Sequence, residues 1–322
     1  MKKMSYFVIF NQESFKVMKI KDLFRLKGRT DVFALGEKRL EKLRAESRYS
    51  CYRNTRATLR KLSLFVKGRP LPAGRVTPEL VDAFRRWLTY ERGNSHNTAT
   101  ENIKILAALL DEAGVKENPC RVRPLGREET SRCFLLEEEL SRMMALRIKP
   151  GSEMEVARDL FFVECRTGLR ISDLLQLRWD EYDGTYLRIR MQKTRRPVLV
   201  PVTDGVKAVL ERYRTLFSGQ EPYVFPMLQH EEDAGDTFSH AKALVSATGR
   251  VNQCIKRVAK RAGVQKTVST HVGRHTFATS LLSKGASIYD VKELLGHRDV
   301  KVTQVYAHLV DRRKQELVEL LE

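Results

Sequence analysis

The sequence predicts a mainly α-helical chain in two domains, with one small β-hairpin set into the second. Three observations carry this reading. Apolar residues recur at helical spacing from about 35 to 114 and again beyond 137. Strand-like alternation is confined to Tyr186–Met191 and a partner run, Val198–Val202. Between the helical blocks, Asn118 to Arg132 holds two prolines and a glycine and reads as a linker.

The elements follow in order. Residues 1–30 form a short basic segment with no clear period. Ala34–Ser47 and Arg48–Val66 read as the first two helices of a domain spanning 31–118. In the second, Tyr52, Leu59, Leu62 and Phe65 share one stripe, while Arg53, Arg56 and Arg60 share another. Thr77-Pro78 starts a third helix, a capping hydroxyl followed by a proline in the first turn, which runs to about Arg92. A fourth spans Asn97–Ala113 and stops at Gly114.

Beyond the 119–132 linker, the second domain (133–310) opens with helices near 137–147 and 153–166. Gly168 breaks the latter, and Arg170 begins a short helix to Leu177. Asp183-Gly184 turns the chain into the hairpin, whose tip carries Lys193. Asp204–Phe217 is helical, and 218–247 is expected to be irregular, with an acidic knot at Glu231-Glu232-Asp233. Helices follow near 249–262, 272–284, 288–295 and 300–309, then a charged tail, 311–322.

Composition narrows the partners. A chain of 322 residues with 42% hydrophobic content can bury two cores. Its net charge of +19 points to nucleic acid, because lysines and arginines displace counterions condensed on phosphates. Residues 1–130 hold 28 basic against 15 acidic side chains, and the remainder 31 against 25. From 47 to 78 there is no acid and there are eight bases. DNA contact is therefore expected to be densest in the first domain, with Arg53, Arg56, Arg60 and Lys61 as candidate phosphate contacts. No run of 18 apolar residues and no signal peptide is present, so a membrane partner is not expected. Five scattered cysteines without a Cys-x-x-Cys pair suggest neither disulfides nor zinc and fit a reducing cytoplasm.

The chemistry lies in Thr167-Gly168-Leu169-Arg170, Lys193, His271-Val272-Gly273-Arg274, Leu294-Leu295-Gly296-His297 and Tyr306. A tyrosine hydroxyl, with a free pKa of about 10, needs help to act as a nucleophile. Two arginines, a lysine and two histidines can neutralise the charge that grows on a phosphodiester under attack. No carboxylate cluster suggests magnesium and no nucleotide-cradling Gly-rich loop occurs, so no cofactor or metal is expected.

In this order, and with the tyrosine nine residues after the Leu-Gly-His histidine, the set resembles the tyrosine recombinase (phage integrase) family. The resemblance implies a helical SAM-like core-binding domain followed by a tyrosine recombinase catalytic domain. It assigns Tyr306 the attack that leaves a 3′-phosphotyrosyl link and a free 5′-hydroxyl. Arg170 and Arg274 become phosphate clamps, and His271 assists the tyrosine proton. His297 donates to a non-bridging oxygen, Lys193 protonates the departing 5′-oxygen, and Asp173 orients Arg170. Gly273 stands where a bulkier residue is implied, and His275 is expected to point elsewhere as a structural histidine.

The activity this implies is site-specific recombination (integration, excision or inversion) by a homotetramer on double-stranded DNA with a specific core site. The protein is then expected in the cytoplasm, on the nucleoid. Relaxation of the type IB topoisomerase kind and a catalytically silent DNA-binding regulator are the alternatives. The tail from Asp311, apolar at Leu317, Leu320 and Leu321, is expected to dock on a neighbouring protomer. With about 30 residues before the first helix, a separate arm-binding domain is not expected, and short core sites without distant arm sites are expected to suffice.

Overall fold

Helix-capping residues and buried stripes set the architecture, seen here in a computed structural model. It describes residues 30–122, 126, 128, 133–217, 223–228, 236–306 and 318, and the backbone of two short strands. The chain divides into two compact units, Met1–Thr130 and Ser131–Glu322. The acidic knot at 231–233 and the tail from 311, except for position 318, lie outside the described residues.

In the first unit, β1 (Phe7–Ile9) pairs antiparallel with β2 (Lys16–Met18), Val8 opposite Val17. Four helices follow: α1 (Val32–Ala45), α2 (Tyr49–Phe65), α3 (Pro78–Arg86) and α4 (His96–Glu112). Their shared core includes Leu62, Phe84, Leu88, Leu106 and Leu110, all fully buried. Each such side chain contributes on the order of 1.5–3 kcal/mol. The Phe84 ring lies 5.1 Å from Phe65 and 6.1 Å from Trp87, centroid to centroid.

Thr77 caps α3 by accepting from the Leu80 N–H, and Ser95 caps α4 by accepting from Thr98. Helix α3 is shorter than the sequence predicts, because Trp87–Glu91 is a π-helical turn. Asn94 accounts for it. Its backbone N–H and its side-chain amide both donate to the Leu88 carbonyl, and the Arg92 N–H bonds instead to Trp87.

The second unit contains α5 (Glu137–Met144), α6 (Glu153–Thr167), α7 (Ile171–Leu174), β3 (Tyr186–Arg190), β4 (Pro197–Pro201) and α8 (Asp204–Phe217). Helices α9 (Thr237–Arg261), α10 (Thr270–Ser283) and α11 (Ile288–Leu295) follow, and 301–306 is again helical. The sequence predicts no regular structure over 237–247. It is instead the first part of the long helix α9, capped by Asp236 and burying Ala243 and Ala247, whose small side chains give little periodic signal.

Strands β3 and β4 pair antiparallel from Tyr186↔Pro201 to Arg190↔Pro197, with Leu187, Ile189 and Val200 buried. The largest core forms around α6, which packs on both α9 and α10. Helix α10 is buried on most sides, including Val272, Gly273, Arg274, Thr276, Phe277 and Ala278. Two bonds fix its height. The Thr270 N–H donates to Asn252 Oδ1 of α9 at 2.9 Å, and the Leu135 N–H donates to Thr276 Oγ1 at 2.9 Å.

Candidate active site

Two glycine helix caps build the floor of the site. Gly168 ends α6 and Gly296 ends α11, both left-handed (φ +66° and +59°). A Cβ at Gly168 would lie 2.3 Å from the Phe277 ring, and one at Gly296 would lie 2.5 Å from Met191 Sδ. Both positions thus demand glycine for conformation and for space.

The two caps turn helix C-terminal carbonyls toward one point, and Arg274 occupies it. Its Nη1 donates to the Gly168 carbonyl, and its Nη2 to the Leu295 carbonyl and to His297 Nε2, the last at 2.9 Å. Negative helix C-terminal ends suit a buried guanidinium. Burial pulls the Arg274 pKa down to about 10, helped by the positive charge of Arg170, so the group stays protonated at neutral pH. Arg170, at the N-cap of α7, places Nη1 3.0 Å from Met191 Sδ.

Since a guanidinium only donates, His297 Nε2 accepts, and the proton of the neutral ring sits on Nδ1, which donates to Thr303 Oγ1 at 2.9 Å. The nitrogen expected to reach a phosphate oxygen is therefore held by Arg274 here. Thr303, six residues after His297, was not anticipated from the sequence.

Lys193 is exposed on the turn between β3 and β4. The Arg298 guanidinium donates to the Thr194 carbonyl and that of Arg196 to the His297 carbonyl, so the turn is tied to the loop after α11. Asp173, expected to orient Arg170, is 3% exposed. Its Oδ1 accepts from the Gln192 N–H at 2.9 Å and makes no hydrogen bond to the Arg170 side chain. It anchors the residue next to Lys193 instead. Burial raises its pKa against the pull of the Gln192 N–H and of the Arg170 and Arg274 charges.

His271 opens to solvent at the start of α10. Burial of part of its ring, then the positive charges of Arg274, Lys193 and Arg170, lower its pKa. Those three cations place it beside the expected phosphate position. His275 does not point elsewhere: its Nδ1 lies 2.9 Å from the Tyr306 hydroxyl. Tyr306 is 3% exposed, packed with Phe277, Ala278, Val291 and Leu295.

The space left by Gly273 is filled from α6, since a Cβ there would meet Glu164 Oε2 at 2.8 Å and the Phe161 ring at 3.0 Å. Glu164 is fully buried, and desolvation raises its pKa well above the ordinary value despite the Arg274 charge and the Ile171 N–H.

On α2 of the first unit, Arg53, Arg56 and Arg60 are all exposed, and none is ion-paired with a described residue. Lys61 differs. It is half-buried, donates to Asn94 Oδ1 at 3.2 Å, and has its pKa lowered by burial and then by Arg92. All five cysteines are free thiols. Among the described residues no helix is long and apolar enough to cross a membrane.

Residues 133–313 match the phage integrase family, and residues 31–123 match the phage integrase SAM-like domain. This chain belongs to the phage integrase family. Among family relatives, a tyrosine recombinase of Thermosipho africanus is 33% identical over 191 residues, 58% of this chain and 61% of that protein. Tyrosine recombinase XerD of Pseudomonas putida is 35% identical over 158 residues, 47% of this chain and 48% of that one. The chain thus spans between about half and three fifths of the length of these two relatives. The fold is similar to the Tn1549 transposon integrase in complex with transposon right end DNA, at TM-score 0.63 and 19% identity over 90% of this chain and 100% of that one. It is also similar to a lambda integrase tetramer bound to a Holliday junction, at TM-score 0.63 and 18% identity over 86% and 77%.

Proposed function

We propose that this chain is a site-specific DNA recombinase that cleaves and rejoins duplex DNA through a 3′-phosphotyrosyl link. The observation that carries the reading is the convergence on Arg274. One guanidinium joins the Gly168 turn before Arg170, the end of α11 and His297, while the neighbouring His275 bonds Tyr306. Chain segments more than 100 residues apart thereby gather a phenol and a set of cations.

Arg170 and Arg274 clamp the non-bridging phosphate oxygens, Tyr306 Oη attacks phosphorus, and Lys193 protonates the departing 5′-oxygen. The phosphotyrosyl link conserves the bond energy needed for rejoining. Because Arg274, His297 and Tyr306 are all nearly buried here, the phosphate enters by replacing the carbonyls and imidazole as acceptors for Arg274. His297, freed from Arg274, takes up a proton on Nε2 and donates from there, while Nδ1 keeps its bond to Thr303 Oγ1. The partner is double-stranded DNA with a specific core site, and the working assembly is a homotetramer, in keeping with the tetrameric lambda integrase of similar fold. The protein acts in the cytoplasm, on the nucleoid.

Trapping the DNA covalently attached to the protein in its host, then repeating the reaction with Tyr306→Phe, tests the reading. The Phe variant removes one oxygen and is expected to bind the recovered duplex yet form no denaturant-resistant adduct, in chelator as in magnesium. An adduct from the Phe variant, or wild-type activity that requires magnesium, would overturn the assignment. Relaxation of arbitrary supercoiled plasmid without a defined cleavage site would favour the topoisomerase-like alternative.

A further inference from the structure

We propose that His96 and Asn97, at the start of α4, take up the linker between the two units and so set the length of chain that joins them when both grip one duplex. Only that last step rests on the recombinase reading above; the contact itself stands without it. Asn97 holds Glu128 by both backbone groups. Its Nδ2 donates to the Glu128 carbonyl and its Oδ1 accepts from the Glu128 N–H, each at 3.1 Å. A carbonyl only accepts, so His96 Nε2 carries a proton and donates to the Gly126 carbonyl at 2.9 Å. Nδ1 of the same ring lies 3.8 Å from Glu128 Oε1.

These two side chains are not needed by their own helix. Ser95 caps α4 by accepting from the Thr98 N–H, and His96 and Asn97 follow it as the first two helical residues. An asparagine amide has the donor and the acceptor of a peptide unit, and Asn97 turns both to one residue of the linker. The two bonds copy one rung of an antiparallel ladder. With the His96 bond, the strap is fixed at Gly126 and at Glu128, one point on each side of Arg127.

Chain length gives the contact its consequence. The first core releases the chain at Cys120, which is buried in it. The second takes it up at Leu135, whose N–H donates to Thr276 and whose side chain is buried. Fifteen residue steps separate these anchors, and an extended chain of that length spans at most about 50 Å. From Glu128 to Leu135 there are seven steps, at most about 25 Å. The strap therefore halves the tether. For two units on one duplex, the local concentration of the second falls roughly as the −3/2 power of tether length, so release of the strap lowers it about threefold. His96 and Asn97 thereby tighten the grip on DNA without touching it.

The test compares the full chain with the double variant His96→Ala, Asn97→Ala, and with a chain carrying eight extra Gly/Ser residues after Thr130. Alanine keeps the first turn of α4 helical while removing all three bonds. In the wild type, hydrogen exchange at the Glu128 amide is expected to be slowed at least about tenfold against an unfolded chain. The double variant should lose that protection and be cut faster by trypsin after Arg127. Affinity for the duplex recovered with wild-type protein should fall about threefold in both altered chains. The insertion should produce this fall with Glu128 still protected. Melting temperature, and the adduct rate at saturating DNA, should stay unchanged in both.

Should the alanine chain melt early, Asn97→Asp takes its place, since it sets a carboxylate oxygen against the Glu128 carbonyl yet suits a helix start. A Glu128 amide that exchanges freely in the wild type would overturn the proposal. So would an insertion that leaves affinity unchanged. A loss confined to the alanine variant would make His96 and Asn97 direct DNA contacts instead. If wild-type protein forms no adduct with any duplex, the recombinase reading fails, while exchange at Glu128 and affinity for any bound duplex still decide this one.

Discussion

Glu164 and Gly273 show how one residue choice compels another at the floor of the site. The glycine brings the backbone of α10 close enough to α6 that Glu164 Oε2 and the Phe161 ring fill the place of its missing side chain. Oε2 has no hydrogen-bond partner among the described residues, so a charged carboxylate there would be poorly solvated. Desolvation raises its pKa, with Arg274 only partly opposing. A raised carboxyl pKa in the folded state makes the folded form bind its proton more tightly than the unfolded one. The resulting stability is present in full at acid pH and is lost as pH climbs from the ordinary glutamate range toward the raised value. Glu164→Gln is isosteric and does not titrate. Thermal melts should therefore show the two proteins converging near pH 4 and the Gln variant ahead at pH 8. Each kcal/mol is worth roughly 2–4 °C in a unit of this size. A wild-type advantage at pH 8 would mean that the carboxylate is ionised and paired with Arg274.

At the scale of elements, the β3–β4 hairpin is a carrier for one ammonium. Its turn is anchored by Asp173 at Gln192, by Arg298 at Thr194 and by Arg196 at the carbonyl of His297, while Lys193 itself stays exposed. Under the proposed function, such a mount lets the ammonium meet a leaving oxygen once DNA is present. Lys193→Ala should slow cleavage of ordinary DNA by about 10²-fold or more and leave a 5′-bridging sulfur substrate almost unaffected, because sulfur departs without a proton. Equal slowing on both substrates would move the acid role elsewhere.

The hairpin was legible in the sequence because alternation and a turn signal bracket it. Helices with a polar face and a capping residue, such as α3 and α4, were legible at their starts for the same reason. The start of α9 was not, since its Ala243 and Ala247 contacts give little amphipathic contrast. Within the site, Arg170, Arg274, His297 and Tyr306 stood out by spacing. The His275 contact did not, because a neighbour at i+4 is as close as one at i+3 and spacing alone cannot choose between them. The bonds of Asp173 to Gln192 and of Lys61 to Asn94 were not legible, because those partners are distant in sequence.

Over the whole molecule, chemistry and charge are distributed unequally. Unit Met1–Thr130 carries 28 basic and 15 acidic residues and has its own apolar core, whereas Tyr306 and the groups around it belong to unit Ser131–Glu322. A basic feature of the first unit is the α2 stripe of Arg53, Arg56 and Arg60, exposed and opposite buried Thr55, Leu59 and Leu62. No acidic residue lies on that helix to compete for the guanidinium groups. Three phosphates neutralised there would release about 0.9 counterion each on duplex DNA. Replacing all three by alanine should flatten the dependence of log K on log salt by about 2 to 3. Binding should weaken on target and unrelated duplexes alike, as expected of phosphate rather than base contacts. With DNA held saturating, the rate of adduct formation should stay within a few-fold of wild type, because the reacting groups lie in the other unit. Lys61→Ala should change the slope far less, its ammonium being already engaged by Asn94. A selective loss on the target duplex would make the stripe a base reader, and an unchanged slope would place the DNA path on another face of this unit.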